Sequence, residues 1–254
     1  QSLNYWLNII PKKFQKFEII KTQKDNKNEL DIKPIFIIGM PRSGSTLVES
    51  IISSGKLKIP NGGETATINR SILKNSKKDL IIQDIEKIRI DKWLLKKDIL
   101  YEYKNLDILK ENKNYSFTDK SLENFFYIDI ILELFPNAKF INCERNKIDN
   151  IFAIYQNFLT KMTWAHSIEN IIMYFNNYLN VMDYFYKKHK DKIFSVELEK
   201  LTSDSKYISQ KMYEFCELEW SEESLEFYKR KDLFSSTASN VQIRERIYNY
   251  NKSK

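Results

Sequence analysis

Pro34-Ile-Phe-Ile-Ile38 is a short continuous apolar run, and it passes without interruption into Gly39-Met-Pro-Arg-Ser-Gly-Ser-Thr46. Leu47, Val48, Ile51 and Ile52 then recur at helical spacing. An apolar run of this length reads as a strand buried on both faces. Strand, glycine turn and amphipathic helix in succession open an α/β domain. We therefore expect a P-loop-type three-layer α/β fold, with a central, mainly parallel sheet flanked by helices.

The remaining pattern fits that frame. Lys139-Phe-Ile-Asn-Cys143 and Lys192-Ile-Phe-Ser-Val196 read as further strands. Segment 64–113 is charged and reads as helical, and Ser121 is placed to cap a helix through Leu134. Helical patterns follow at 147–160, 168–190, 203–216 and 222–231. In the second of these, Ile168, Ile171, Ile172, Phe175, Leu179, Met182 and Tyr186 form one apolar stripe that reads as core packing. Residues 1–31 read as a helical lead-in and polar linker, the end of an upstream repeat region, and 32–254 as one domain.

Composition excludes several classes of function. Cys143 and Cys216 are the two cysteines, without metal-ligand spacing, which rules against a disulfide scaffold and a zinc site. No apolar run is long enough to span a membrane. A net charge of +7 suits an anionic ligand but is no mark of nucleic-acid binding.

Gly39 to Thr46 carries Gly-x4-Gly-x-Thr between strand and helix, the spacing of a phosphate-binding loop. Backbone N–H groups can close around an anion there, and the helix N-terminus adds partial positive charge. Ser45 stands where ATPases and GTPases carry a lysine, which argues against a kinase or NTPase. Arg42 inside the loop offers a forked donor to phosphate or sulfate instead. The plain alternative is a strand-to-helix turn that holds nothing.

The run from Pro34 to Glu49 resembles the 5′-phosphosulfate loop of sulfotransferases, most of all the tyrosylprotein sulfotransferases and their bacterial relatives that follow tetratricopeptide repeats. The resemblance extends over about residues 34–254. It implies 3′-phosphoadenosine 5′-phosphosulfate (PAPS) as sulfuryl donor, held in part by Arg42, Ser43, Gly44, Ser45 and Thr46, with no metal required.

Four later segments match in the family's order. In Asn61-Gly-Gly-Glu-Thr65 the resemblance makes Glu64 the general base; the residues alone also allow a helix N-terminal glutamate. In Phe117-Thr-Asp-Lys-Ser-Leu-Glu-Asn124 it makes Lys120 the group that neutralises the bridging oxygen, where the residues alone allow one more surface lysine. Phe140 to Asp149 resembles the 3′-phosphate site. Arg145 takes the phosphate, Ala153 replaces the family's serine, and Lys147 is the substitute donor. Leu198 stands where the family commonly has a tyrosine near the adenine.

Thr237 to Tyr248 resembles the C-terminal cofactor loop, so Gln242 and Arg244 are expected to contact the donor. Ser253 and Lys254 match the family's Ser-Lys pair, with Ser253 assisting the leaving group. The chain starts at Gln1 and stops short of the tryptophan that follows that pair, so a chain trimmed at its ends is expected. The implied activity is sulfuryl transfer to a hydroxyl, foremost a tyrosine on an acidic peptide, in a cytoplasmic bacterial protein. A homodimer is one option for its assembly. The competing class is a degenerate module that binds nucleotide without turnover, motivated by Ala153, Leu198 and the short tail.

Overall fold

A computed structural model describes residues 2–21, 31–81, 86–109, 115–230 and 247. Three consecutive helical stretches, Ser2–Asn4, Tyr5–Ile9 and Ile10–Lys13, lead into β1 (Phe17–Ile20). Then come β2 (Lys33–Gly39), α1 (Ser45–Ile52), α2 (Thr67–Ile81), β3 (Ile88–Asp91), α3 (Lys92–Asn105) and β4 (Ser116–Asp119). The second half runs α4 (Ile128–Leu134), β5 (Lys139–Glu144), α5 (Lys147–Gln156), α6 (Ile168–Lys188), β6 (Ile193–Glu197), α7 (Leu198–Ser203) and α8 (Ser205–Phe215).

β4, β2, β5 and β6 lie side by side in that order, every pair parallel. β1 pairs in parallel with β3 as a separate two-stranded sheet. Strand alternation makes two cores. Ile35, Ile37, Ile141, Cys143 and Val196 face one side, where Val48, Ile51 and Ile52 of α1 and Met212 and Tyr213 of α8 cover them. Phe36, Ile38 and Phe140 face the other, against α4, α6 and the N-terminal turns, and Phe36 stacks on Phe140 at 5.4 Å. β2 is buried throughout after Lys33, as its apolar run requires. No helix among the described residues is long and apolar enough to cross a membrane.

Several expectations need correction. Segment 64–113 is not helical throughout, because Ile88–Asp91 forms a strand on β1. The residues after Ser121 begin as a 3-10 turn, Leu122–Tyr127, and Ser121 makes no side-chain cap there; its Oγ accepts from Ala66 N–H at 2.8 Å. On α6 the buried face is Ile171, Tyr174, Phe175, Tyr178, Val181, Met182 and Phe185, whereas Ile168, Ile172 and Leu179 are exposed. Aromatic residues on a neighbouring stripe win the core because they bury more area each. Leu7, Ile10 and Phe14 of the N-terminal turns are buried in the core that also holds α4 and α6.

Candidate functional site

From β2 the chain crosses to β4 on one side and then to β5 on the other, so the carboxyl end of β2 is the point where strand order reverses. Open α/β sheets bind ligands at that point. The glycine loop 39–46 sits there. Gly39 has φ +136°, and a Cβ on it would stand 2.5 Å from the Cys143 carbonyl oxygen, so glycine lets the loop press against β5. Arg42 takes a left-handed φ of +63° and Gly44 one of +90°. Asn150 Nδ2 donates to Pro41 O at 2.7 Å, Arg145 donates to Arg42 O at 2.9 Å, and Ser43 Oγ donates to Met40 O at 2.7 Å. α1 then starts with no side-chain cap at Gly44. Its first N–H groups have no intrahelical acceptor, which gives the loop the donor character an anion needs.

Glu49, one turn further along α1, ties this loop to the next segment. It is 2% exposed, and its Oε1 accepts from Gly63 N–H and from Thr118 Oγ, both at 2.9 Å. Burial pushes its carboxyl pKa up, and the charge of Lys120 and these two donors pull the other way. Lys120 N–H donates in turn to Gly63 O at 2.8 Å. Gly62 lies so close to β4 that a Cβ on it would meet the Thr118 carbonyl oxygen at 2.1 Å. This packing brings Glu64 and Lys120 together: Lys120 Nζ donates to Glu64 Oε1 at 2.7 Å. The lysine side chain is 2% exposed and the glutamate 36%.

Asp119 underlies the pair, and no sequence motif points to it. Fully buried at the end of β4, it accepts from Thr65 Oγ and Tyr103 OH at 2.7 Å each, from Ser121 N–H at 2.8 Å and from Asn124 Nδ2 at 3.3 Å. The Glu64 loop, α3, β4 and the following turn therefore converge on one carboxylate. Glu123, half-buried three residues after Lys120, has its carboxyl pushed up to about 7, chiefly by burial and then by the charges of Asp119 and Glu64.

The other expected residues divide. Leu198 packs against the loop, where a Cβ on Gly44 would come within 2.6 Å of it. Lys147 turns toward α6: its Nζ is 3.5 Å from Asn176 Oδ1 and 5.5 Å from the Phe175 ring centroid. A cavity of about 400 Å³ opens between the end of β5, the start of α5 and α6, lined among others by Glu144, Arg145, Lys147, Tyr178 and Asp183. Strand patterns alone do not reveal it, because α6 forms its far wall. His189 is a structural residue, with Nε2 2.6 Å from Asp129. Gln242, Arg244, Ser253 and Lys254 lie outside the described residues.

A family model described as the sulfotransferase family matches residues 34–222. A protein of Aquifex aeolicus (strain VF5), described as uncharacterized, is 32% identical over 226 residues, covering 85% of this chain. The chain spans only 29% of that relative's length. Among solved structures, the sulfotransferase domain from the Synechococcus PCC 7002 olefin synthase is similar with a TM-score of 0.57 and 16% identity, over 90% of this chain and 89% of that one. The sulfotransferase domain from the curacin biosynthetic pathway is similar with a TM-score of 0.55 and 14% identity, over 87% and 86%. Mouse sulfotransferase SULT7A1, solved with PAP, is similar with a TM-score of 0.50 and 10% identity, over 97% and 83%. At these identities the likeness to solved structures is one of fold.

Proposed function

The chain belongs to the sulfotransferase family, and on that premise we propose that it transfers a sulfuryl group from PAPS to a hydroxyl acceptor, with Glu64 as the base. One observation carries the reading. Glu64 and Lys120 are 56 residues apart in sequence and meet at 2.7 Å, and Gly63 beside Glu64 is bonded to Glu49 of α1. A carboxylate and an ammonium at the edge of an anion-binding loop are the two groups that transfer to a hydroxyl requires. One takes the acceptor's proton, and the other meets the charge that develops on the leaving oxygen.

The residues fit the donor. Loop N–H groups, Arg42, Ser45 and Thr46 would hold the sulfate end at the start of α1, and Arg145, which donates to Arg42 O at 2.9 Å, would take the 3′-phosphate. Lys147 would have to leave Asn176 to join it. That mouse SULT7A1 was solved with PAP supports PAPS as the donor here. When bound, the donor supplies an activated sulfuryl group. Arg42 orients its sulfate end, Lys120 stabilises the departing oxygen with Ser253 assisting, and Glu64 draws the proton from the attacking hydroxyl. In-line displacement with charge on the leaving oxygen parallels phosphoryl transfer. A tyrosine hydroxyl is the acceptor that the motifs favour.

The test is calorimetric titration with 3′-phosphoadenosine 5′-phosphate (PAP), with ADP plus Mg²⁺ as control, joined to transfer of labelled sulfate from PAPS to a phenol. Expected are binding of PAP without ADP and, in Glu64→Ala, retained PAP binding with turnover lowered by at least about a hundredfold. Preference for ADP with Mg²⁺ would overturn the donor assignment. PAP binding without transfer to any hydroxyl would leave a nucleotide-binding module.

A further inference from the structure

The cavity of about 400 Å³ between the end of β5, the start of α5 and α6 is lined by Arg145, the group given above to the 3′-phosphate, and by Met40 of the glycine loop. We propose that this cavity holds the base of the donor nucleotide, with Glu144 and Asn150 reading its amino group. The base then lies under α6, and not on the flank of the loop at Leu198, where the family commonly has its tyrosine. This rests on the reading of the chain as a PAPS-dependent enzyme.

The lining has the character of a base pocket. Met40, Phe175, Leu179 and Met182 give it apolar walls, and the first two and Met182 are buried. Ligand pockets of this kind pair an apolar lining with a few placed polar groups. Here Glu144 is one of them. Its Oε1 accepts from Asn142 Nδ2 at 2.8 Å and from Ser195 Oγ at 2.6 Å, and Asn142 is itself held by Tyr178 OH at 2.9 Å. The other carboxylate oxygen accepts nothing among the described residues, and no cation among them forms an ion pair with Glu144. Asn150, 1% exposed, is the second group. Its Nδ2 is committed to Pro41 O at 2.7 Å, which leaves its Oδ1 without a donor among the described residues. Two fixed acceptors on an apolar cavity call for a ligand that brings N–H groups on a flat apolar body. The exocyclic amino group of adenine is such a donor, and it is uncharged, so it can lie near Arg145 and Lys147 without repulsion.

The flank at Leu198 suits a base less well. Leu198 packs onto the loop, where a Cβ on Gly44 would stand 2.6 Å from it, and an aliphatic side chain offers no ring to stack on. In the cavity, Phe175 supplies an aromatic ring and the two methionines supply thioethers, which pack well on aromatic systems.

Photolabelling with the 2-azido derivative of PAP, followed by peptide mapping, tests the placement directly. Label between Phe175 and Tyr186 of α6 is expected; label that misses this stretch would overturn the proposal. Calorimetry with PAP, inosine 3′,5′-bisphosphate and an abasic ribose 3,5-bisphosphate gives a second measure. The wild type should bind PAP at least about tenfold more tightly than the inosine compound, which sets a carbonyl oxygen against Glu144. Glu144→Gln should narrow that gap to within about threefold. Leu179→Trp, at an exposed position of α6 on the cavity, should weaken PAP at least about tenfold and leave the abasic compound unchanged. Equal binding of PAP and the inosine compound by the wild type would overturn the proposal. So would a Leu179→Trp that spares PAP or weakens PAP and the abasic compound alike. The photolabel and the wild-type ranking decide the matter even if a variant fails to fold. Binding of no bisphosphate would overturn the donor reading and the base pocket with it, whereas equal binding of all three would overturn the base pocket alone.

Discussion

Lys120 reaches Glu64 at 2.7 Å while itself only 2% exposed, so the two groups proposed as base and leaving-group partner engage each other in the free protein. On that proposal an arriving donor anion would compete for the ammonium, and Glu64 would become free to take a proton as the ammonium turned to the donor. Breaking a partly exposed pair costs about 1 kcal/mol, so Glu64→Gln should bind PAP about fivefold more tightly than wild type while losing turnover. In a Lys120→Met background the same change should leave PAP affinity unaltered. Calorimetry on this double-mutant cycle separates release of the lysine from simple repulsion between Glu64 and the nucleotide, which would persist without the lysine. Glu123 supplies a second residue-scale prediction. Its carboxyl holds a proton up to about pH 7 in the folded chain, against 4.5 for an ordinary glutamate. Between these values the native state binds more protons than the unfolded one, so stability falls as pH rises through that window. Glu123→Gln should therefore match wild type in unfolding free energy near pH 4 and exceed it at pH 8, by up to about 3 kcal/mol. A constant difference across pH would mean that the carboxyl titrates normally.

Asp119 joins four elements through four donors, and in doing so it sets where Lys120 and the Glu64 loop can sit. Asp119→Asn keeps the size but turns one oxygen into an N–H₂ donor facing Thr65 and Tyr103 or the Ser121 and Asn124 side. Buried donors left without an acceptor cost about 1–3 kcal/mol each, so urea denaturation should show a loss of about 2–4 kcal/mol, with reduced sulfuryl transfer. An unchanged midpoint would mean that the convergence on Asp119 is not holding the site. This convergence is hard to see in the sequence. Glu64 and Lys120 each lie in a short motif that resembles a family segment, and that resemblance, rather than the residues alone, points to them. Asp119 adjoins Lys120, but its importance comes from Tyr103 on α3 and Thr65 in another loop, and no spacing announces that meeting. The apolar stripe of α6 is misplaced by periodicity for a similar reason. Periodicity gives a helix, but which of two apolar stripes faces inward depends on what packs there, and Phe125 and Phe126 meet Tyr174 and Tyr178 across the core.

At the scale of the molecule, the strand-turn-helix opening and the short strand patterns around Phe140 and Phe194 make three of the four strands of the central parallel sheet legible, while β4 is too short to stand out. The smaller sheet is not legible: β1 and β3 are four residues each, pair Phe17 with Ile88, and have neither the length nor the uniform burial that marks a strand. Reading residues 1–31 as a lead-in and linker follows from that gap, since a helix without a visible partner looks separable. In the structure Leu7 and Phe14 are 5% and 8% exposed and Ile10 is fully buried, all in the larger core. Phe14 meets Phe185 edge-on at 5.5 Å, Asn177 Nδ2 donates to Leu7 O at 3.0 Å, and Tyr5 bonds Tyr127. Burying a large apolar side chain contributes about 1.5–3 kcal/mol. Three of them therefore amount to about 5–9 kcal/mol, comparable to the whole stability of an ordinary domain, about 5–15 kcal/mol. Removal of residues 1–20 should then abolish cooperative thermal unfolding and near-ultraviolet circular dichroism while leaving helical far-ultraviolet signal, the behaviour of a core without specific packing. A sharp transition within a few degrees of the full chain would show instead that these turns only rest on a domain that folds without them.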